Sequence, residues 1–370
     1  MQISLFRPRI KEEAIAAAGD VLRSGWIGLG PKTLEFEGRF ADYVGSPHCV
    51  GLNSCTAALH LALKVLNIPA GKEIITTPVT FVSTNHVILY EQLKPIFADI
   101  EPMTGNIDVE SIKEKITPQT GAIIAMHYGG YPCDLDALYT LAAEHNIPVV
   151  EDCAHACGAE YKGHKIGGIG DVHAFSFHAV KNLPMGDGGA LTVRSEHFDA
   201  RLRRLRWLGI DKDTYLRSEG ASGKTYQWDY QVAEVGFKYH MTDIEAAIGI
   251  VQLDCLENDN NRRRQIADMY SSRLADVPGL QLLEYQPDRL SARHLCCILA
   301  EDRDGLVDKL RENGVGVGVH YRRNDLYPMY EKGILPNAEW FSSRVMSLPL
   351  HLDLTDEEIV YICELIRGGW

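Results

Sequence analysis

Two side chains in this sequence are placed to do covalent and acid–base chemistry. Lys181 opens the run KNLPMGDGG, directly behind the apolar stretch DVHAFSFHAV and ahead of Gly186, Gly188 and Gly189. Glycines let a backbone approach a ligand closely and adopt positive φ, and a lysine held in such a loop loses water. A desolvated amine is a better nucleophile and forms Schiff bases. The other reading is an ordinary surface lysine beside a hairpin turn, or a phosphate-cradling lysine, although no G-x-x-x-x-G-K-[ST] loop is present. Asp152 closes the run IPVVED. A carboxylate at the end of a buried strand is partly desolvated, and its ionised form asks for a cation or hydrogen-bond donors. A protonated pyridine nitrogen would serve; a solvated loop acid or a helix cap is the plain alternative.

Three further elements could serve the same ligand. The segment NSCTAALHLAL begins a helix at Asn53 or Ser54, and the free N–H groups of a helix start, with the Ser54 and Thr56 hydroxyls, suit an anion. Simple N-capping would use the same residues. Ser176 alternates with Phe175 and Phe177, so it faces the opposite side of its strand from the two rings. Phe81, in PVTFVSTN, is either core or a plate for a flat ring. Asp99 and His127 also stand at the ends of apolar runs, KPIFA and GAIIAM. An imine-forming lysine, an acid for a ring nitrogen, a phosphate cradle and an aromatic stacker together are what pyridoxal 5′-phosphate requires, with pyridoxamine phosphate as its aminated form.

The elements that must position these groups follow from periodicity. From about residue 45 to 195, short apolar runs (EIITTP, KPIFADI, GAIIAMH, IPVVED) alternate with helical segments. In DLDALYTLAAEHN, Leu135, Leu138, Leu141 and Ala142 share one helical face. Such alternation predicts βαβ units, an α/β class and a mostly parallel sheet, with ligands collecting at the carboxyl ends of its strands. DVHAFSFHAV and ALTVRS read as strands with only the glycine loop between, which suits antiparallel pairing or a loop folded over a ligand. Residues 196–235 are polar and without clear periodicity. From 243 a long helix is predicted, with Thr242 as cap and Glu245 completing a capping box; a last helix follows Thr355. A boundary near 242 divides the chain into a large domain, 1–242 with an N-terminal arm, and a smaller C-terminal one, 243–370.

At 370 residues, with 45% hydrophobic and 24% charged residues, the chain is an ordinary globular one with ample core. A net charge of −13 repels a phosphate backbone, so nucleic acid is not an expected partner. No stretch approaches the roughly 18 apolar residues of a membrane span, and the start lacks a secretion pattern. The nine cysteines are scattered without a C-x-x-C pair, so neither a disulfide framework nor a metal site is expected, and the setting they fit is the cytoplasm. Cys153 and Cys157 read as small buried residues. The arginines of ARLRRLRWLG (Arg201, Arg203, Arg204, Arg206) read as a solvated helix face, with contact to an anionic nucleotide as the alternative.

The sequence also resembles the DegT/StrS-type sugar aminotransferases of the fold-type I, aspartate aminotransferase-like superfamily. The likeness runs almost end to end, through LNSCTAALHLAL, TPVTFVSTNHVI, HYGGYPCDLD, GFKYHMTDIEAAIGIVQL and VGVHY, and is most specific from Glu151 to Gly189. It implies a homodimer that moves an amino group from L-glutamate to a keto group of a nucleotide-linked sugar. It implies that Lys181 forms the internal aldimine and shuttles the proton, that Asp152 pairs with the pyridine nitrogen, and that His155 sits near the phenolic oxygen. Phe81 would stack on the ring. Cys55, Thr56 and Ser176 would hold the phosphate, with Lys238 of GFKYH reaching in from the other protomer; His320 and Tyr321 would lie near the sugar. Three residues depart from the pattern: Cys55 replaces a glycine, which is tolerable at negative φ, Lys238 replaces the commoner asparagine, and Asp187 stands where Glu is frequent. Lys181 itself is kept, whereas the related sugar 3-dehydratases carry histidine there. A free keto-sugar, keto-sugar acid or cyclitol is the alternative substrate, and a catalytically silent cofactor-binding regulator the alternative class. A nicotinamide-dependent dehydrogenase fails on the absence of a G-x-G-x-x-G turn opening a helix.

Overall fold

The computed structural model describes residues 2–211 and 230–370. Its strands are β1 (His48–Leu52), β2 (Glu73–Thr76), β3 (Lys94–Phe97), β4 (Thr120–Met126), β5 (Val149–Asp152), β6 (Glu160–Tyr161), β7 (His164–Lys165), β8 (Val172–Ser176), β9 (Gly189–Val193), β10 (Leu280–Leu282), β11 (Arg289–Leu290), β12 (Cys296–Ala300) and β13 (Val345–Leu348). Seven of them form one sheet in the order β1-β9-β8-β5-β4-β2-β3. The pairs from β8 through β5, β4 and β2 to β3 are parallel, and β9 runs antiparallel to both neighbours. The expected mostly parallel α/β sheet is therefore present, with one reversed strand where the glycine loop allows no crossover.

Both faces of the sheet are covered. On one, Phe36, Phe40, Phe175, Phe177, Leu138 and Ile250 share a core; on the other, Leu61, Ile88, Ile124, Val150, Ala174 and Leu191 pack with the helix Cys55–Val65. Successive strand residues alternate between these cores, so Asp152 and Ser176 point with Val150 and Ala174, towards the Cys55–Val65 helix. Phe175 and Phe177 point the other way and meet the Phe40 ring edge-on at 5.0 and 5.2 Å.

The helix Asp243–Leu274 starts on the predicted capping box: Thr242 accepts from the Glu245 N–H, and the Glu245 carboxylate accepts from the Thr242 N–H. Its first half joins the Phe36 core through Ala246, Ile250 and Leu253. Its second half, with Ile266, Tyr270 and Leu274, joins a further core beneath β10, β12 and β13. Thr355 likewise caps the helix Asp356–Arg367. Ile3 is buried in that last core, and its carbonyl accepts from Gly316, so the start of the chain is tied to the C-terminal part.

Residues 196–235 contain a helix, Glu196–Leu205, that burying Leu202 and Leu205 stabilises although the surrounding segment is polar. Residues 212–229, part of the stretch read as aperiodic, lie outside the described residues. Among the described residues, no helix is long and apolar enough to cross a membrane. All nine cysteines are free, and Cys153 and Cys157 are buried.

Candidate active site

The carboxyl ends of β5 and β8, the loop after β8 and the start of the Cys55–Val65 helix enclose a cavity of about 370 Å³. Cys55, Thr56, Phe81, Asp152, His155, Ser176, Lys181, His320 and Tyr321 all line it; of the residues that the family resemblance places at the site, Lys238 alone does not.

Lys181 sits on a hairpin loop between β8 and β9. Phe177 and Ala179 donate to the carbonyls of Gly188 and Gly186, and Lys181 donates to that of His178. Gly186 and Gly188 take φ of +96° and +137°, where a side chain would be strained. Gly189 meets the capping residue of the neighbouring helix so closely that a Cβ there would lie 2.4 Å from the Ser54 carbonyl carbon. The glycines thus close the loop onto the helix start. Burial lowers the Lys181 amine to about 8, against the pull of Cys55 and Asp152.

Asp152 is buried, and burial raises its carboxyl pKa. Two donors oppose this: the Thr84 hydroxyl at 2.7 Å and the Ala154 N–H at 3.0 Å. Among the described residues it forms no ion pair. At the helix start, Ser54 accepts from the Ala57 N–H at 3.1 Å and its carbonyl takes the Ala58 N–H. The N–H groups of Cys55 and Thr56 therefore lie outside the helix's own hydrogen bonding. Cys55 opens the helix without a positive φ, which removes the objection to its replacing glycine; burial pushes its thiol up.

His155 is buried beside these groups. Its Nε2 meets the Tyr321 hydroxyl at 3.0 Å, while its Nδ1 has no partner among the described residues. Burial, and then Lys181, hold its pKa well below the ordinary value. His320 is lowered to about 4 in the same way, and its Nδ1 meets Ser347 at 2.8 Å. Phe81 is largely exposed at the rim, 6.3 Å from the Tyr321 ring.

Asp99 and His127 are not in the cavity. Asp99 accepts from the N–H groups of Asn337 and Ala338 at 2.9 and 2.8 Å, at the start of the helix Pro336–Arg344. His127 turns to the opposite face of the sheet and donates to Glu151 at 2.8 Å. None of the four arginines lines the cavity; Arg206 is buried, and Arg201, Arg203 and Arg204 are half-buried and ion-paired rather than a free solvated face. Arg203 and Arg206 hold the buried carboxylate of Glu37, which needs a cation once taken out of water, and Arg201 holds Glu234. Lys238 is exposed, with its ammonium 3.3 Å from the centre of the Trp207 ring, while its carbonyl accepts from Asn53 beside the helix start.

Sequence reading missed Thr84, Phe6 and His294. His294 Nε2 lies 3.4 Å from the Lys181 amine, and its ring stacks on Phe6 at 5.9 Å. No local pattern announces these residues: Phe6 and His294 reach the cavity from the chain start and the SARHLCC segment, and Thr84 reaches Asp152 from a helix start.

A lysine, a buried uncompensated acid and an unspent helix start converging on one cavity are the arrangement of a pyridoxal-phosphate transaminase, and the chain matches the DegT/DnrJ/EryC1/StrS aminotransferase family over residues 8–367. It belongs to that family. The spore coat polysaccharide biosynthesis protein SpsC of Bacillus subtilis is 38% identical over 97% of this chain and 95% of its own length. The aminotransferase TlmJ of Streptoalloteichus hindustanus has TM-score 0.93 at 33% identity, over 100% of this chain and 98% of its own. Spr1654 of Streptococcus pneumoniae, described as a sugar aminotransferase, has TM-score 0.93 at 33% identity in its pyridoxamine-phosphate form, over 99% of this chain and 98% of its own, and is also solved in its pyridoxal-phosphate form. As a member of this family, the chain is a pyridoxal-phosphate-dependent transaminase.

The residues present fit that cofactor. The unspent N–H groups of Cys55 and Thr56 and the Ser176 hydroxyl suit its phosphate, Asp152 lacks the cation a ring nitrogen would supply, and the orphaned His155 Nδ1 offers a contact for a ring substituent.

Proposed function

We propose that this transaminase moves an amino group from L-glutamate to a keto group on a nucleotide-linked sugar, as a homodimer in the cytoplasm, within amino-sugar synthesis for a cell-surface polysaccharide or a secondary metabolite. The observation that carries the reading is the convergence of Lys181 and Asp152 on one cavity with the helix start of Cys55 and Thr56. The names of the relatives support the sugar, since SpsC serves a polysaccharide and Spr1654 is described as a sugar aminotransferase.

When bound, pyridoxal phosphate supplies a protonated ring that accepts electrons and a carbon that carries the transferred nitrogen. Asp152 holds that ring nitrogen in its cationic state, and the attraction offsets the burial that otherwise favours a neutral carboxyl. Thr84 keeps the carboxylate turned towards the cavity. Lys181, with an amine near neutrality at about 8, takes a proton from the substrate carbon and returns it as general base and acid. Phe81, exposed at the cavity rim, would cover the ring, and Cys55, Thr56 and Ser176 would anchor the phosphate. His155 fixes the ring substituent and is itself oriented by Tyr321; Tyr321 and His320 border the space left for the sugar. Lys238 stands outside its own cavity but against the helix start, which supports a role across a dimer, on the phosphate held by a second copy.

The test is spectroscopic. L-glutamate should convert the absorbance of the loaded enzyme to that of the pyridoxamine form, and a nucleotide-linked keto-sugar from a panel should restore it. Lys181→Ala should do neither. Restoration by free keto-sugars or keto-acids alone would overturn the nucleotide-linked assignment, and amine transfer by Lys181→Ala would overturn the mechanism.

A further inference from the structure

We propose that His294 holds the free amine of Lys181 by accepting one of its hydrogens at Nε2, which keeps the nitrogen's lone pair off the protein and available to the cavity. The inference rests on the proton-carrying role given to Lys181 above and adds a positioning residue to it.

A chain of amides settles which nitrogen of His294 carries hydrogen. Asn260 Nδ2 donates to the Cys157 carbonyl at 3.0 Å, which turns its Oδ1 to accept from Asn182 Nδ2 at 2.7 Å. The same Asn182 nitrogen donates to the Ala292 carbonyl at 2.7 Å, so both its hydrogens are spent. Asn182 therefore presents Oδ1 to His294 Nδ1, 3.2 Å away, and Nδ1 is the donor. In the neutral ring the other nitrogen is then bare, and it lies 3.4 Å from the Lys181 amine.

The ring has little freedom to turn away. It packs against Phe6, nearly parallel at 5.9 Å, and against His155, at 4.3 Å, and is buried. The titratable groups around the pair are Asp152, Cys55, His155, His320 and Arg263. Burial, and then Lys181 itself, keep His294 far below its ordinary pKa, so it stays an acceptor while the lysine titrates. A neutral amine that donates one hydrogen to Nε2 keeps its lone pair for a proton from substrate. Once it is an ammonium, the same contact becomes a charge-assisted hydrogen bond, which favours the protonated state.

The test uses the full chain loaded with pyridoxamine 5′-phosphate, in which the Lys181 amine is free. Trace acetylation by acetic anhydride across pH, read at Lys181 by mass spectrometry, gives the midpoint at which the amine becomes reactive. In His294→Leu the midpoint should fall by about one pH unit, because the ammonium loses its acceptor. His294→Gln, which keeps an acceptor oxygen, should recover most of that fall. A midpoint unchanged or raised in His294→Leu would overturn the proposal. Nitrogen-15 histidine spectra of the wild-type chain need no variant: a bare Nε2 with hydrogen on Nδ1 supports it, and hydrogen on Nε2 overturns it. Neither measurement involves the sugar, so a wrong substrate class would fail the panel above and leave both of these results standing.

Discussion

Glu151 and Asp152 are neighbours on one strand, both acids and both buried, yet their surroundings treat them oppositely. Glu151 faces the Phe40 side, where it accepts from His127 at 2.8 Å and from His173 at 3.3 Å, and from the Tyr139 hydroxyl. His173 is an imidazolium: its Nε2–H goes to Glu151 and the Ile169 carbonyl. Its Nδ1–H goes to Thr192 Oγ1, whose own hydrogen is spent on Gly167. His127 accepts the Cys133 N–H on its Nδ1 at 3.1 Å, which leaves Nε2 to face Glu151. Despite burial, these partners, His173 first, hold Glu151 down at about 2. Asp152, one residue on, has two neutral donors and no ion pair among the described residues, and burial outweighs them and the pull of Lys181 to drive it up. One carboxylate has its counter-ion built into the fold; the other is left for a ligand to complete.

The largest expected effect breaks the second half of that contrast. Asp152→Asn should lower amine transfer by about a hundred- to a thousandfold, since a neutral amide cannot hold a ring nitrogen cationic. The unloaded chain should move the other way. A folded-state carboxyl raised above its unfolded value costs stability once pH exceeds the unfolded value, and the cost disappears as pH falls below it. At neutral pH the unloaded Asp152→Asn chain should therefore unfold at higher denaturant than wild type, the usual trade of stability for a poised site. Equal stability at neutral pH would show that Asp152 is not short of a partner.

Glu151→Gln tests the first half. It leaves the His173 cation buried without its counter-ion, at a cost of about 3–5 kcal/mol. The pH dependence carries the sign. Glu151 is depressed, so its contribution is present above its ordinary 4.5 and is lost as pH falls towards about 2. His173 is raised, so its contribution is complete below its ordinary 6.5 and is lost as pH rises through the elevated value. The gap between wild type and Glu151→Gln in denaturant unfolding should be widest between those two ordinary values and narrow on either side. A gap independent of pH would mean that packing, not charge, is what the substitution removes.

The contrast also marks what could be read from the sequence. The alternation of strands and helices, the Thr242 and Thr355 caps and the parity that sets Ser176 against Phe175 and Phe177 are local features, and each was legible from neighbouring residues. So was the placement of Asp152 at a strand end and of Lys181 in the glycine loop, although the strand before that loop stops at Ser176 rather than running to Val180. The Glu151 network was not, because His127 directly follows the flanking strand β4, His173 lies on the flanking strand β8, and both meet Glu151 only through the pairing of those strands. For the same reason β1, which pairs with the distant β9, and His294, which meets Lys181 across a tertiary contact, left no pattern to find. Arg203 and Arg206 looked solvated because the carboxylate they pair with, Glu37, lies on the separate helix Pro31–Val44.

Asp99 sets the lower end of the comparison. Like Asp152 it follows a parallel strand, and strand-end position alone gave both the same claim to the site. The structure separates them by what receives their lone pairs. Asp99 is saturated by the N–H groups of Ile100, Asn337 and Ala338 within the protein, two of them at the start of a helix whose dipole favours its negative charge. It needs nothing from a ligand. Asp99→Ala should cost about 1 kcal/mol of stability, the worth of a lost helix cap, read as a lower denaturation midpoint, while the glutamate-dependent change in cofactor absorbance keeps its wild-type rate. A loss of that rate out of proportion to the loss of stability would show that strand-end acids act on the site together and that the division drawn between Asp99 and Asp152 is wrong.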